Sequence, residues 1–384
     1  VRKKVKPLIR WGIPALCLVL LAIFVVRLNQ MEKTPLVSRA GQTFEKGVVT
    51  QILQDNLQPD GSRVGEQTVK VRMLTGALKG REVTTTSASG YLFGAACRVG
   101  LKVVVIQSVA GDSSVTTVYS QSREAAIYIF AGVYLVVLCL VGGRQGLRGA
   151  LGLVFTGLCI MFVYLPLVYR GYSPFWISVL ICVATTVVTL YLIGGPGLKT
   201  LAAVAGTITG IVIAGIAATA FSAVTGVTGW NVSDIESLMT LWNTNGVQVG
   251  GLLFSGLLIS SMGAVMDVAM SISSAMCELT AHNPAISRGA LFKAGMNVGR
   301  DMLGTDSNTL ILAFAGASVS MLLLDYAYDL PYLQIINSNN IGIAIMQGLS
   351  GSFGIVLSAP ATVLLATLLF KRQKTPPVGE GPAE

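Results

Sequence analysis

The residues of this chain that could do chemistry are carboxylates set in apolar sequence. Asp267 stands in Gly263-Ala-Val-Met-Asp-Val-Ala-Met-Ser-Ile-Ser-Ser, well inside an apolar run that opens near Gly250. Helical spacing puts Ser260, Ala264, Asp267, Ser271 and Ser274 on one face, a small and polar stripe. An ionised carboxylate at membrane depth is costly unless it is paired, hydrated or protonated. A carboxyl in that place is positioned to load and release protons. The plainer alternative is a hydrogen-bonded helix contact along a serine-rich seam. A second constellation follows in Gly299-Arg-Asp-Met-Leu-Gly-Thr-Asp-Ser-Asn-Thr. Arg300, Gly304 and Asn308 share one helix face, and Asp301, Thr305 and Asn308 share an overlapping one. Arg300 and Asp301 can rest at the cytoplasmic interface at little cost. Asp306 and Asn308 fall deeper, and either is a candidate partner for Asp267.

Other chemistries find little support. Cys17, Cys139, Cys159 and Cys182 lie in apolar runs, Cys277 just past one, and Cys97 alone in the large polar segment, so no disulfide framework is expected. The sequence has no Cys-x-x-Cys and only one histidine, His282, in a polar loop, so zinc and iron–sulfur sites are not expected either. There is no Walker A loop, nucleophile elbow, His-Glu-x-x-His or kinase set. Gly194-Gly-Pro-Gly reads as a short turn. The expectation is a protein without a cofactor and without an enzymatic nucleophile–base pair.

The elements that must hold these carboxylates are membrane helices. The chain has 384 residues, 53% hydrophobic and only 12% charged, with a mean hydropathy of +0.69. Soluble domains carry about 25% charged residues, so an ordinary soluble enzyme is excluded, and so is a disordered chain. Eight apolar spans are predicted, at about 11–28, 125–142, 148–168, 174–194, 198–222, 248–272, 302–324 and 341–370. The net charge of +9 invites a nucleic-acid reading. The placement of the cations argues against one: Arg2, Lys3, Lys4, Lys6 and Arg10 precede the first span, and Lys371, Arg372 and Lys374 follow the last. With the N-terminus inside, Arg144, Arg148, Lys199, Arg288, Lys293 and Arg300 are also cytoplasmic. The short outer loops then hold Arg170 with Asp234, Glu236, Asp325 and Asp329, as the positive-inside rule requires. The first span, with no small-x-small cleavage site, reads as an uncleaved signal anchor.

The expected domains are a cytoplasmic N-terminus and signal-anchor helix (1–28), an extracytoplasmic β domain (29–124), a seven-helix membrane domain (125–370) and a cytoplasmic tail (371–384). The β domain is read from short runs rich in Val, Ile and Thr: Gly47-Val-Val-Thr-Gln-Ile-Leu, Gln67-Thr-Val-Lys-Val-Arg-Met-Leu, Arg81-Glu-Val-Thr-Thr-Thr and Leu101-Lys-Val-Val-Val-Ile. Four or five such strands predict a small OB-like or SH3-like barrel. It carries almost no aromatics among its basic residues, which favours a structural or substrate-gating module over a nucleic-acid binder. Residues 226–247 are amphipathic, with Trp230 and Trp242 placed for the outer interface and Ser233 with Glu236 matching a capping box. Residues 278–299 form a cytoplasmic connection broken by Asn283-Pro284. Gly206 and Gly210, with Gly348, Gly351 and Gly354, predict close helix packing.

The stretch Leu252 to Ala317, with the two motifs around Asp267 and Asp306, resembles the YibE/F family of bacterial integral membrane proteins, a likeness that extends over most of residues 11–370. The resemblance implies a bacterial plasma membrane, Gram-positive organisms best of all, and says little about cargo. A weaker likeness links the chain to one half of resistance-nodulation-division permeases and of SecD/SecF, in which a span ending in Gly-x-x-x-Asp carries a proton-coupling aspartate. Asp267 would inherit that role. Such a half has six spans and a larger external domain, and it works beside a second half. The likeness therefore implies a homo-oligomer or a related partner membrane chain.

The leading expectation is an all-α polytopic membrane bundle with the small outer barrel between helices 1 and 2, acting as an ion- or proton-coupled transporter or exporter component. In that reading Asp267 carries the proton, Ser271 and Ser274 orient it, and Asp306 or Asn308 pairs with it. The alternative is a non-transporting scaffold or assembly factor that recruits a partner through its outer domain. The lipid bilayer is the one partner expected in both, nucleic acid in neither, and the substrate is open.

Overall fold

The computed structural model describes residues 23–31, 36, 41–88, 93–110, 113–232 and 234–370. The basic N-terminal residues, Cys17, most of the first predicted span, Ser233 of the predicted capping box and the tail from Lys371 lie outside the described residues. The chain divides into two compact units, Lys33–Leu140 and the pair of segments Val1–Glu32 and Val141–Glu384.

In the first unit, β1 (Gln42–Gln54), β2 (Gln67–Met73), β3 (Glu82–Ser87), β4 (Lys102–Ala110) and β5 (Ser113–Gln121) close into a barrel in the order β1-β2-β3-β5-β4. Every neighbouring pair is antiparallel except β3 and β5, which run parallel. That order, with its one parallel pair, is the OB arrangement rather than the SH3-like one. The strands form because alternate residues have an inside to go to. Along β2, Val69, Val71 and Met73 are buried while Arg72 is exposed. With Val49, Val103, Val105 and Val118 they fill the barrel, each full burial contributing about 1.5–3 kcal/mol. Long β1 pairs with both β2 and β4, and two register shifts against β2 let it bend around the barrel.

One end of the barrel is closed by residues 94–98, held by buried polar side chains. Gln67 is fully buried, accepts from the Cys97 backbone N–H at 2.7 Å, and donates to the Asp55 carboxylate at 2.8 Å and to the Cys97 carbonyl at 3.3 Å. Ser87 donates to the Ala95 carbonyl at 2.7 Å and accepts from its N–H at 2.9 Å. Gln67 and Arg63 together hold the Asp55 carboxyl below the usual carboxylate range. Burial pushes the Cys97 thiol above its ordinary value, so it stays protonated and unreactive.

The barrel leads into α1 (Glu124–Cys159), which continues through a π-turn at Ile160–Tyr164 into α2 (Leu165–Tyr169). The apolar helical stretch Glu124–Tyr169 is 46 residues long, about twice what one bilayer crossing needs. Its backbone leaves helical geometry only at Gly143 (φ 53°, ψ −131°), a conformation glycine alone adopts freely. The sequence expects a break between two spans at 143–147, and two helices do meet there, in a kink at Gly143 rather than a loop, with residues 144–148 already helical. Arg144 and Arg148 lie one turn apart there, and long basic side chains can reach an interface from within a helix.

The second unit continues with α3 (Pro174–Gly194), α4 (Leu198–Thr225), α5 (Ile235–Asn245), α6 (Leu252–His282), α7 (Arg288–Ala317), α8 (Val319–Ala327), α9 (Tyr332–Ile336) and α10 (Asn339–Phe370). Five helical stretches of the described chain are long and apolar enough to cross a membrane, or six if the bent pair α7–α8 counts as one. The helical part is thus that of a membrane protein. Helix α5 begins at Ile235 with Asp234 as its N-cap, and the Trp230 and Trp242 rings pack with centres 4.5 Å apart and planes tilted by 46°. Arg170, the cation predicted for an outer loop, donates to the Leu28 carbonyl at 2.8 Å, beside Asn29, which donates to the Phe162 carbonyl at 2.9 Å.

Helices α4, α6 and α10 form the centre, with α3 and α7 packed against them. The predicted glycines bring α4 and α10 together. A Cβ on Gly210 would meet Ser358 at 2.7 Å and the Gly354 carbonyl at 2.9 Å, and one on Gly354 would meet the Gly210 carbonyl at 2.8 Å. Gly206 is seated against Thr362 in the same way. A Gly210→Val protein is expected to lose about 1–3 kcal/mol of stability through overpacking. A matching fall in the thermal unfolding midpoint in detergent checks this, and an unchanged midpoint contradicts the close approach.

Candidate functional site

Helix α6 is two-faced. Val265, Val268, Ile272 and Met276 are buried in the central core. On the other side Gly256, Ser260, Gly263, Asp267 and Ser271 are exposed, and Ala264 and Ser274 are half-buried. The stripe read from helical spacing therefore exists as one face, but the described helices do not bury it. A Cβ added at Gly256 or Gly263 would meet nothing within 4 Å.

Helix α7 is set beside α6 by its own glycines. A Cβ on Gly295 would meet the Met276 sulfur at 2.6 Å, and one on Gly299 would meet Ile272 at 3.3 Å and Ala359 at 3.4 Å. With Gly295 and Gly299 turned inward, Arg300, Asp301, Gly304, Thr305, Asn308 and Thr309 are exposed. Ser287 caps the helix by accepting from the Ala290 N–H at 3.2 Å, so α7 starts at a fixed point and its register against α6 is set. Asp306 and Ser307 lie between the two faces, half-buried. Asp306 Oδ2 and Ser307 Oγ are enclosed without a hydrogen-bond partner among the described residues.

The two carboxyls read as possible partners stand on neighbouring, packed helices, with no hydrogen bond between them among the described residues. Asp306 is the charged group that acts electrostatically on Asp267. The helices packed on α6 from the other sides, α3, α4 and α10, bring no acid; their titratable groups are Cys182, Tyr191 and Lys199. Other expected partners are not joined to Asp267. Among the described residues no hydrogen bond or ion pair links Ser271, Ser274, Asn308, Arg300 or Asp301 to it; Ser271 shares its face one turn away, and Asn308 is exposed on α7. Two contacts escaped the sequence reading. Ser273 donates to the Lys199 carbonyl at 2.6 Å, tying α6 to α4. Ser352 donates to the Ser307 carbonyl at 3.4 Å, tying α10 to α7 beside Asp306. Serine is common in membrane helices for local reasons, so its presence alone gives no signal of such bridges.

The model of YibE/F-like proteins matches residues 130–372, which include both carboxylates and the helices that carry them. The chain belongs to the YibE/F-like family. The matched segment begins after the barrel's last strand, so the stretch that defines this YibE/F-like chain is its helical part. No curated protein and no solved structure matches it significantly.

Proposed function

We propose that this YibE/F-like protein is an ion-coupled membrane transporter or exporter component in which Asp267 and Asp306 handle a proton together. The observation that carries the reading is the uncovered polar face that holds Asp267, with the half-buried Asp306 of the neighbouring helix near enough for its charge to bear on it. Two like charges on packed helices at membrane depth repel, and a proton carried by one of them relieves that repulsion. Taking up or releasing that proton changes the force between α6 and α7. The α7–α8 break of 57°, the π-turn at Ile160–Tyr164 and Pro360 within α10 supply the discontinuities through which such a change can move the bundle. Ser271 and Ser274 line the route to Asp267, Asn308 lies on the α7 side, and Arg300 with Asp301 sits at its cytoplasmic mouth. Eight crossings with both termini cytoplasmic, the barrel outside a bacterial plasma membrane and no enzymatic chemistry complete the reading.

The uncovered small residues of α6 favour one other reading, a non-transporting scaffold whose face of Gly256, Ser260 and Gly263 receives a helix of a second copy or of a related chain. Labelling of Ser271→Cys by a water-soluble maleimide, in lipid at several pH values and with each rate taken relative to that of a free model thiol at the same pH, separates the two. A transporter shows a labelling rate that changes with pH and loses that dependence in an Asp267→Asn background. A rate that ignores pH in both backgrounds rejects proton coupling.

A further inference from the structure

The barrel holds a second candidate site, unrelated to the carboxylates. Beside the segment that closes the barrel is a cavity of about 400 Å³ lined by Arg63, Ala96, Cys97, Arg98, Gln121 and Arg123, among others. Three arginines thus line one cavity, and their charges are not equally spent. Arg63 is neutralised by Asp55 at 2.7 Å and also donates to the Asn56 side-chain oxygen at 2.8 Å. Arg98 and Arg123 are exposed, and their guanidinium groups form no hydrogen bond or ion pair with any described residue. The acid that follows Arg123, Glu124, is engaged by Lys46 at 2.5 Å. The backbone adds donors, since the Ala96 and Arg98 N–H groups have no acceptor among the described residues, whereas those of Ala95 and Cys97 are taken by Ser87 and Gln67.

We propose that this cavity binds an anion of the phosphate class. Two uncommitted guanidinium forks match phosphate oxygens in pairs, and the Gln121 amide and the free backbone N–H groups supply neutral donors at the same wall. The wall is preset, because Gln67 and Ser87 fix residues 95–97 from inside the barrel. Arg123 also precedes the first residue of α1, at the positive end of a helix, where a cation is unfavourable and a bound anion offsets the cost. Since α1 is an apolar helix, chain connectivity puts this arginine near the level of lipid headgroups. The phosphate can therefore belong to a free anion or to an anionic phospholipid.

The test uses the full chain in uncharged, phosphate-free maltoside micelles, titrated calorimetrically with inorganic phosphate and, separately, with short-chain phosphatidylglycerol. Saturable binding of either ligand is expected, weakened about tenfold or more in Arg98→Gln/Arg123→Gln. Tighter binding of phosphate assigns a free anion, and tighter binding of phosphatidylglycerol assigns a headgroup. Both arginines are exposed, so the variant should fold. If it does not, protection of Arg98 and Arg123 from phenylglyoxal by the same ligands in the unaltered chain decides the matter. No saturable binding of either ligand, an affinity indifferent to the two substitutions, or no protection overturns the proposal.

Discussion

Replacing Gln67 with leucine is expected to open the end of the barrel and destabilise it by about 3 kcal/mol or more. The size follows from what the side chain leaves behind. Gln67 is fully buried and serves three groups at once: the Cys97 N–H, the Cys97 carbonyl and the Asp55 carboxylate. Leucine fills much of the volume but leaves the Cys97 N–H buried without an acceptor, an expensive outcome in a closed core. Asp55 keeps Arg63 but loses the bond that contributes most to keeping it ionised. Gln67→Glu separates the terms, since it retains an acceptor for Cys97 while setting a second carboxylate against Asp55. Denaturant unfolding of the full chain, followed by reactivity of the Cys97 thiol, measures both. A leucine variant as stable as the parent, with Cys97 still protected, would show that the 94–98 segment is held by something else.

The second large effect concerns the carboxyl pair. Asp306→Asn is expected to stabilise the helical unit while abolishing proton-linked function. Asp306 bears on Asp267 as a like charge, so in the proposed arrangement removing it relieves a repulsion. The gain should be about 1 kcal/mol, the order of a single interaction between titrating groups. It should grow as pH rises, because the repulsion requires both groups to be ionised. Asp267→Asn should behave alike, and the double replacement should add little, as expected for residues that act as one unit. Such a trade of function for stability marks sites whose charges are kept for work rather than for packing. If either substitution destabilises the bundle at every pH, the pair is a structural contact. Thermal unfolding of the three variants across pH settles which it is.

Much of this arrangement was legible before any coordinates. Alternation of Val69, Val71 and Met73 with Lys70 and Arg72 announces a strand with one buried face, and helical spacing puts Asp267 and Ser271 on one side of α6. Both follow from backbone geometry alone, which local sequence carries. The glycines of α4 and α10 were legible for the same reason, because a residue without a Cβ in an apolar helix has few other uses. What sequence could not carry was the identity of the neighbour. Gln67 looks like any polar residue in a strand, and its burial depends on a closing segment some thirty positions away. That the Asp267 stripe is left uncovered depends on where four other helices pack. The break expected between the spans at 143–147 is present but reduced to a kink at Gly143, because a glycine at φ 53° turns the chain without a loop. Asp306 was named with Asn308 as an alternative because depth along a helix does not fix rotation about it. Gly295 and Gly299, turned toward Met276 and Ile272, are what choose between them.

Whether Asp267 and Asp306 share a proton can be read by infrared difference spectroscopy. The full chain in lipid is cycled between acidic and alkaline buffer, and the carboxyl C=O stretching region is compared with that of Asp267→Asn and Asp306→Asn. The account predicts a protonated-carboxyl band that changes with pH, shifts in either single variant because the remaining acid has lost its partner, and disappears when both are replaced. A carboxyl region that does not respond to pH, or that is identical in all three proteins, would contradict it.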